Sequence, residues 1–339
     1  MMKKLFKTVL FLSIILSIQS CNQQPAELRK FQFGGEAQGT YYALTYFAPK
    51  ALVNQSQIDS LLDDFDRSAS IWVEGSIISR INNNDPKVIP DTHFIDVFLQ
   101  AKRVSETTNG AFDITIGPLV NAWGFGFKNK IDVDQHVVDS LLPLVNFNAV
   151  SLVNGKIVKN NPDIHIDYNA IAQGYSVDLT GGFLHQNGID NYLVDIGGEV
   201  LARGNKPDGK QWVVGIEKPS EGMNSERILN ATLEMKNKAI ATSGNYRKFY
   251  EVDGVRYSHT IDPKTGYPVK HSMLSATVMA DSASIADAYA TAFMVMGLEK
   301  AKNFLVLHPE MEAYFIYSGK NGKLETFATK GMRSMITEQ

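Results

Sequence analysis

The chain has 339 residues, 44% of them hydrophobic, which is enough for a sizeable core in one large or two smaller domains. Its formal charge of -3, with basic residues spread along the chain, argues against nucleic acid as a partner. The single cysteine, Cys21, leaves no disulfide framework to carry the fold.

The N-terminus reads as a targeting segment. Lys3, Lys4 and Lys7 precede an apolar run at 9–18, too short to span a bilayer, and Cys21 follows directly. This arrangement resembles a bacterial lipoprotein. It implies a signal peptide over 1–20, cleavage before Cys21, lipidation of Cys21, and a membrane anchor on the periplasmic side of the cell envelope. Several acyl chains on one residue give stable attachment where one chain does not. Ordinary secretion, with Cys21 in the discarded peptide, is the alternative. Residues 21–30 read as a polar lipidated tether and 31–339 as one catalytic domain.

Helices and strands alternate irregularly after the tether. Residues 39–47 are rich in Thr and Tyr and predict a strand. Ile58, Leu61, Leu62 and Phe65 follow the spacing of an amphipathic helix. Phe94, Val97, Phe98, Ala101 and Val104 do the same, with a stop at Asn109-Gly110. Residues 150–158 predict a hairpin turning at Asn154-Gly155, a pair that tolerates positive φ. A strand at 164–167 leads into a helix over 170–186, closed by Asn187-Gly188. Strand-like runs follow at 192–196, 212–216, 239–242 and 273–279, then a helix around Asp287, then a strand pair near 313–317 and 324–328. Strands often follow one another without a helix between them, which predicts an α+β fold with antiparallel pairing. No Gly-x-Gly-x-x-Gly follows a strand, so no dinucleotide-binding crossover is indicated.

Six segments carry chemistry-bearing residues, each with a plainer reading beside it. In 109–125, Gly110 and small residues admit a close backbone approach and Phe112 offers a ring for stacking. The same composition fits a helix cap and a loop with core aromatics. In 167–175, a helix N-terminus suits a phosphate, or Asp167 or Asn169 simply caps the helix. In 195–199, paired glycines between Asp195 and Glu199 admit a ligand or form a turn. In 242–247, Arg247 suits bidentate phosphate contact, or the segment is a hairpin turn. In 258–268, His259 titrates near neutral pH before a good turn sequence, though a lone His is commonly structural.

The sixth segment is the helix holding Asp287 and Thr291, four residues apart on one face of an otherwise small, apolar stretch. A lone carboxylate there is costly unless paired. A neighbouring Ser or Thr hydroxyl would pair it, as would a hard cation, which favours oxygen ligands. With no His/Cys cluster of zinc spacing in the sequence, Mg²⁺ is the first reading.

Taken together and in this order, the segments resemble the ApbE family, the FAD:protein FMN transferases, from Gly39-Thr40-Tyr41-Tyr42 to the end of the chain. The resemblance implies an α+β fold with two lobes around a flavin cleft and Mg²⁺ on the FAD pyrophosphate. It places the metal at the Asp287 and Thr291 side chains and the Ala170 backbone carbonyl. It places FAD, as substrate, against Ala111, Phe112, Asp113, Asp167, Gln173, and the turn holding His259 and Ile261, with Gln38 and Trp72 bordering the cleft. Gln173 stands where the family often has Lys or Glu.

The implied reaction is transfer of FMN from FAD to a Thr or Ser hydroxyl of an acceptor protein, with release of AMP. His259 or Asp287 is the catalytic base, His259 being preferred because a carboxylate holding a metal is less available. The implied acceptor is a membrane redox subunit with a Ser/Thr target motif. Two alternatives use the same residues differently: Mg²⁺-dependent hydrolysis of FAD to FMN and AMP, and non-catalytic flavin binding by a lipoprotein.

Overall fold

A computed structural model describes residues 27–125, 133–219, 228–245, 249–252, 255–258 and 260–339. The leader, Cys21, Arg247 and His259 lie outside the described residues.

Strands β1 (Arg29–Ala37) and β2 (Thr40–Ala48) form the first hairpin, so regular structure takes in the last two residues of the expected tether. Helix α1 (Gln55–Ala69) opens with a capping box: Asn54 Oδ1 accepts from Gln57 N and Gln57 Oε1 accepts from Asn54 N. Its buried residues, Ile58, Leu62 and Phe65, are the ones its periodicity selects. Helices α2 (Ile77–Asn82) and α3 (Thr92–Thr107) follow, and Asp91 caps α3 while accepting from Ser68 Oγ of α1 at 2.7 Å. Short helices α4 (Gly117–Ala122) and α5 (Gln135–Leu141) precede the hairpin of β3 (Val150–Val153) and β4 (Lys156–Lys159). That hairpin turns at Asn154 and Gly155, both at positive φ.

Residues 164–167 do not form the expected strand. They are extended, but their partner is a side chain: Asn82 donates to Ile166 O at 2.8 Å and accepts from Ile166 N at 2.7 Å. One amide group thus replaces one step of a ladder.

Helix α6 (Ala172–Gln186) leads to β5 (Tyr192–Ile196), β6 (Glu199–Arg203), β7 (Trp212–Glu217), β8 (Leu229–Met235) and β9 (Lys238–Gly244). The chain continues through β10 (Phe249–Val252), β11 (Val255–Ser258), β12 (Met273–Ala280), α7 (Ala283–Met296), α8 (Leu298–Leu307), β13 (Glu312–Ser318), β14 (Leu324–Ala328), α9 (Lys330–Met335) and β15 (Ile336–Glu338).

The main sheet has eight strands in the order β1-β2-β5-β6-β9-β12-β13-β14, every neighbouring pair antiparallel. Its two faces divide the core by strict alternation. Ala239 and Ala241 of β9 pack toward the helices, as do Ala313 and Phe315 of β13. Ile240, Tyr314 and Ile316 point the other way, onto the three-stranded sheet β15-β8-β7. The helical face carries α1, α6 and α7, and α7 crosses α6 there. A smaller cluster joins Leu119, Trp123, Val138 and Ile261 beside it. The architecture is mixed α/β with antiparallel sheets, in line with the sequence reading.

Candidate active site at the crossing of α6 and α7

The start of α6 is irregular for a reason. Asp167 Oδ1 accepts from Asn169 N at 2.8 Å, an Asx turn that swings the chain into the helix. Ile171 N and Ala172 N both donate to Tyr168 O, and the helical ladder begins with Tyr175 N to Ile171 O. In a continuous helix the Gly174 N–H would go to the Ala170 carbonyl. Here it goes to Asp287 Oδ2 of α7 at 3.3 Å. The Asp287 carboxylate thus takes an amide in the first turn of α6, four residues after Ala170.

Gly174 also sets how close the helices come. A Cβ built there would lie 2.6 Å from Ala283 C and 2.7 Å from Ser284 Cα, and closer still to the Ala283 carbonyl oxygen. Only glycine allows this approach. Asp178, one turn further along α6, fixes the register of α7. Its carboxylate accepts from Ala283 N at 2.7 Å, Ser284 N at 2.9 Å and Ser284 Oγ at 2.6 Å. It therefore caps the neighbouring helix, whose own N-cap residue, Ser282, makes no side-chain cap bond.

Asp287 is 7% exposed. Burial pushes its pKa up to about 7, with the Asp178 charge adding to the rise and the Gly174 N–H opposing it. Thr291 lies one turn on, its hydroxyl bonded to Ser243 Oγ of β9 at 3.1 Å. Glu199, at the start of β6, is also buried, and Oε2 of its side chain has no hydrogen-bond partner among the described residues. Burial, then the Asp287 charge, holds it well above the usual carboxylate range. Gln173 Nε2 donates to Ile196 O at 3.0 Å and lies tight against Gly197. Gly197 and Gly198 are both at positive φ and make the β5–β6 turn, so this segment takes its plainer reading while packing on the site.

The 109–125 segment joins from the side of α4. Asp167 N donates to Ile114 O at 2.7 Å. Asp113 is buried and its oxygens are committed: Oδ1 accepts from Thr115 N and Oγ1, and Oδ2 from Phe147 N. Burial raises its pKa against those three bonds. Ala111 is buried, and Phe112 is 2% exposed within the main core. Its ring packs with the core, the plainer of the two readings of this segment. Asn109, Gly110, Asp113, Phe147, Pro263 and Lys264 line a shallow cavity of about 340 Å³ between this segment and the 260–268 turn. That turn is held by Trp123 Nε1 donating to Gly266 O at 2.8 Å, with Ile261 buried against α4 and bridged to Pro268.

Gln38 sits at φ 54° in the β1–β2 turn and donates to Ser176 Oγ of α6 at 2.6 Å and Asp66 Oδ1 of α1 at 3.1 Å. Trp72, after α1, is 59% exposed. Asp287, with Thr291 one turn on, meets the start of α6 at Gly174, next to Gln173 and four residues after Ala170; Asp167 links that start to Ile114, and Gln38 bonds to α6 at Ser176.

A family model described as the ApbE family matches residues 38–315. The chain belongs to the ApbE family. A FAD:protein FMN transferase from Vibrio cholerae is 36% identical over 298 residues, covering 85% of this chain and 87% of that protein. One from Haemophilus influenzae is 33% identical and covers 97% and 96%. Among solved structures, the flavin transferase ApbE from Vibrio cholerae superposes with a TM-score of 0.81 at 32% identity, over 91% of this chain and all of that one. The apo flavinyl transferase ApbE from Pseudomonas stutzeri gives 0.79 at 29%, over 91% and 97%.

Within this ApbE-family chain, the sequence does not mark Asp178 at all, and it names the segments holding Gly174 and Glu199 without giving either residue a part in the site. Asp178 and Gly174 carry no local signal, because each acts on another helix. Glu199 had one. On β6, Val200 and Ala202 face the small sheet, so Glu199 belongs to the side facing the helices. A carboxylate on a helix-covered strand face is a buried charge by pattern alone.

Proposed function

We propose that this chain is an Mg²⁺-dependent FAD:protein FMN transferase. One observation carries the reading in this family: a buried carboxylate, Asp287, accepts from Gly174 N at the start of α6 and stands one helical turn from the Thr291 hydroxyl, and the family resemblance adds the Ala170 backbone carbonyl, four residues before Gly174. All three donors are oxygens, the set a hard dication takes. Burial drives Asp287 toward holding a proton, and a bound dication displaces that proton and restores the missing charge. The residues therefore fit the metal.

Bound Mg²⁺ supplies charge neutralisation and alignment at the FAD pyrophosphate. The protein's own residues hold that arrangement. Asp178 fixes α7 against α6, Ser243 orients the Thr291 hydroxyl, and Gln173 is held on Ile196 and Gly197. In the reaction, the acceptor's Thr or Ser oxygen forms a bond to the FMN-side phosphorus. The bond from that phosphorus to the bridging oxygen breaks, and AMP leaves with that oxygen. The hydroxyl proton passes to a base, a role assigned to His259 because Asp287 serves the cation. Lipidation at Cys21 anchors the enzyme at the periplasmic side of the envelope, and its acceptor is a membrane redox subunit bearing a Ser/Thr target motif.

The test uses the detergent-solubilised chain with FAD and Mg²⁺, with and without such an acceptor domain, reading intact acceptor mass and free FMN and AMP. The expected result is an acceptor heavier by one FMN less water, with AMP released. Free FMN and AMP beside an unmodified acceptor would instead identify an FAD hydrolase. Unchanged FAD in both reactions would identify a flavin-binding protein.

A further inference from the structure

We propose that Glu199 supplies a second carboxylate to the cation held by Asp287, Thr291 and the Ala170 carbonyl, an inference that rests on the Mg²⁺ reading above. Val200 and Ala202 pack on the three-stranded sheet, whereas Leu201 packs on the helical side, close against Gly181 of α6. Alternation puts Glu199 on Leu201's side. Its register partner is Ile196, the residue whose carbonyl holds Gln173, next in sequence to Ala172 and Gly174.

Glu199 is 9% exposed, and its Oε2 has no hydrogen-bond partner among the described residues. Among the described residues, the charges acting on it are Asp287 and Asp195, both negative. Buried polar atoms are ordinarily satisfied, and an exception calls for a cause. Two buried carboxylates that repel each other, one with an oxygen unclaimed among the described residues, are costly without a cation. A dication at Asp287 removes both anomalies: it engages Oε2 directly or through a coordinated water, and it cancels the repulsion. A pair that merely shares a proton would satisfy the geometry equally, and the two cases separate by cation affinity.

The experiment titrates Mn²⁺ into the full chain in detergent with saturating ADP as a non-transferable pyrophosphate, reading free Mn²⁺ by electron paramagnetic resonance. Wild type, Glu199→Gln and Asp287→Asn are compared, and circular dichroism and Tm without divalent cation verify each fold. Glu199→Gln keeps the side chain's shape and removes a repelling charge, so its cation-free Tm equals or exceeds that of wild type. Its Mn²⁺ affinity falls at least tenfold, and the Mn²⁺-induced rise in Tm shrinks with it. An affinity within twofold of wild type in a folded Glu199→Gln protein overturns the proposal while leaving the Asp287 site standing. If Asp287→Asn also binds as wild type does, or wild type retains no Mn²⁺, the Mg²⁺ reading itself fails and this inference goes with it.

Discussion

Replacing Gly174 with alanine tests the helix crossing on which the whole site depends. The new Cβ would sit 2.6 Å from Ala283 C and 2.7 Å from Ser284 Cα, and both obstacles are backbone. Carbon atoms in contact prefer about 3.5–4.0 Å, so α6 and α7 must part by about 1 Å. Overpacking costs about 1–3 kcal/mol, and a rigid obstacle places this case near the upper figure. Alanine's better helix propensity returns about 1 kcal/mol, leaving a net loss of about 2 kcal/mol. The control lies on the same helix: Gly182 is exposed and a Cβ there meets nothing within 4 Å. Gly182→Ala should therefore stabilise by about 1 kcal/mol, a difference of about 3 kcal/mol between two identical substitutions in α6. Urea denaturation without divalent cation measures both. Parting the helices also breaks the 3.3 Å bond from Gly174 N to Asp287, so Mn²⁺ affinity falls for the first variant alone. A Gly174→Ala protein as stable as wild type would refute the packing argument.

Three further outcomes follow from the same geometry. Asp178→Ala strands the Ala283 and Ser284 amides at the start of α7 and should lower stability by about 2 kcal/mol, read as a shifted urea midpoint at unchanged slope. Asn82→Ala removes both bonds that bracket Ile166 and should cost about 2 kcal/mol, with faster amide exchange at Ile166 as its local signature. For pH, Asp287 has a folded pKa raised to about 7, so the folded state keeps a proton that the unfolded chain has released. Cation-free stability then falls as pH rises from the ordinary carboxylate range to about 7 and levels beyond it. Asp287→Asn should make that slope shallower in thermal melts across this range, and an unchanged slope would assign the titration elsewhere.

Local signals in this chain are legible and cross-element ones are not. The Asn154-Gly155 turn, the buried stripe of α1 and the C-terminal stop of α6 rest on a few adjacent residues, and each stands where sequence predicts it. The extended stretch at 164–167 has the strand-like composition, but its ladder partner is Asn82, more than 80 residues away, and no local pattern reports that. Helix α4 escapes notice because it is one short turn started at Gly117-Pro118. Phe112 reads in sequence as either a stacking ring or a core aromatic, and its packing in the core shows only once the fold is assembled. At the site, the Asp287 and Thr291 pair is visible because helical spacing alone puts them together. Asp178, Gly174 and Glu199 act through a second helix or a strand face, and their meaning emerges only when α6, α7 and β6 meet.

The place where β1 enters the sheet sets a physical range of action. Its first residue, Arg29, lies on the edge strand of the main sheet, and only residues 22–28 separate it from Cys21. Fully extended, that stretch reaches about 29 Å at most. With Cys21 as the proposed anchor, the catalytic body is confined to a thin layer above the lipid. Encounters with membrane-held acceptors become a search within a surface, at an effective concentration set by reach. Shortening or lengthening 22–28 would then change which hydroxyls are modified without touching a single residue of the site, because selection between acceptors becomes a matter of height.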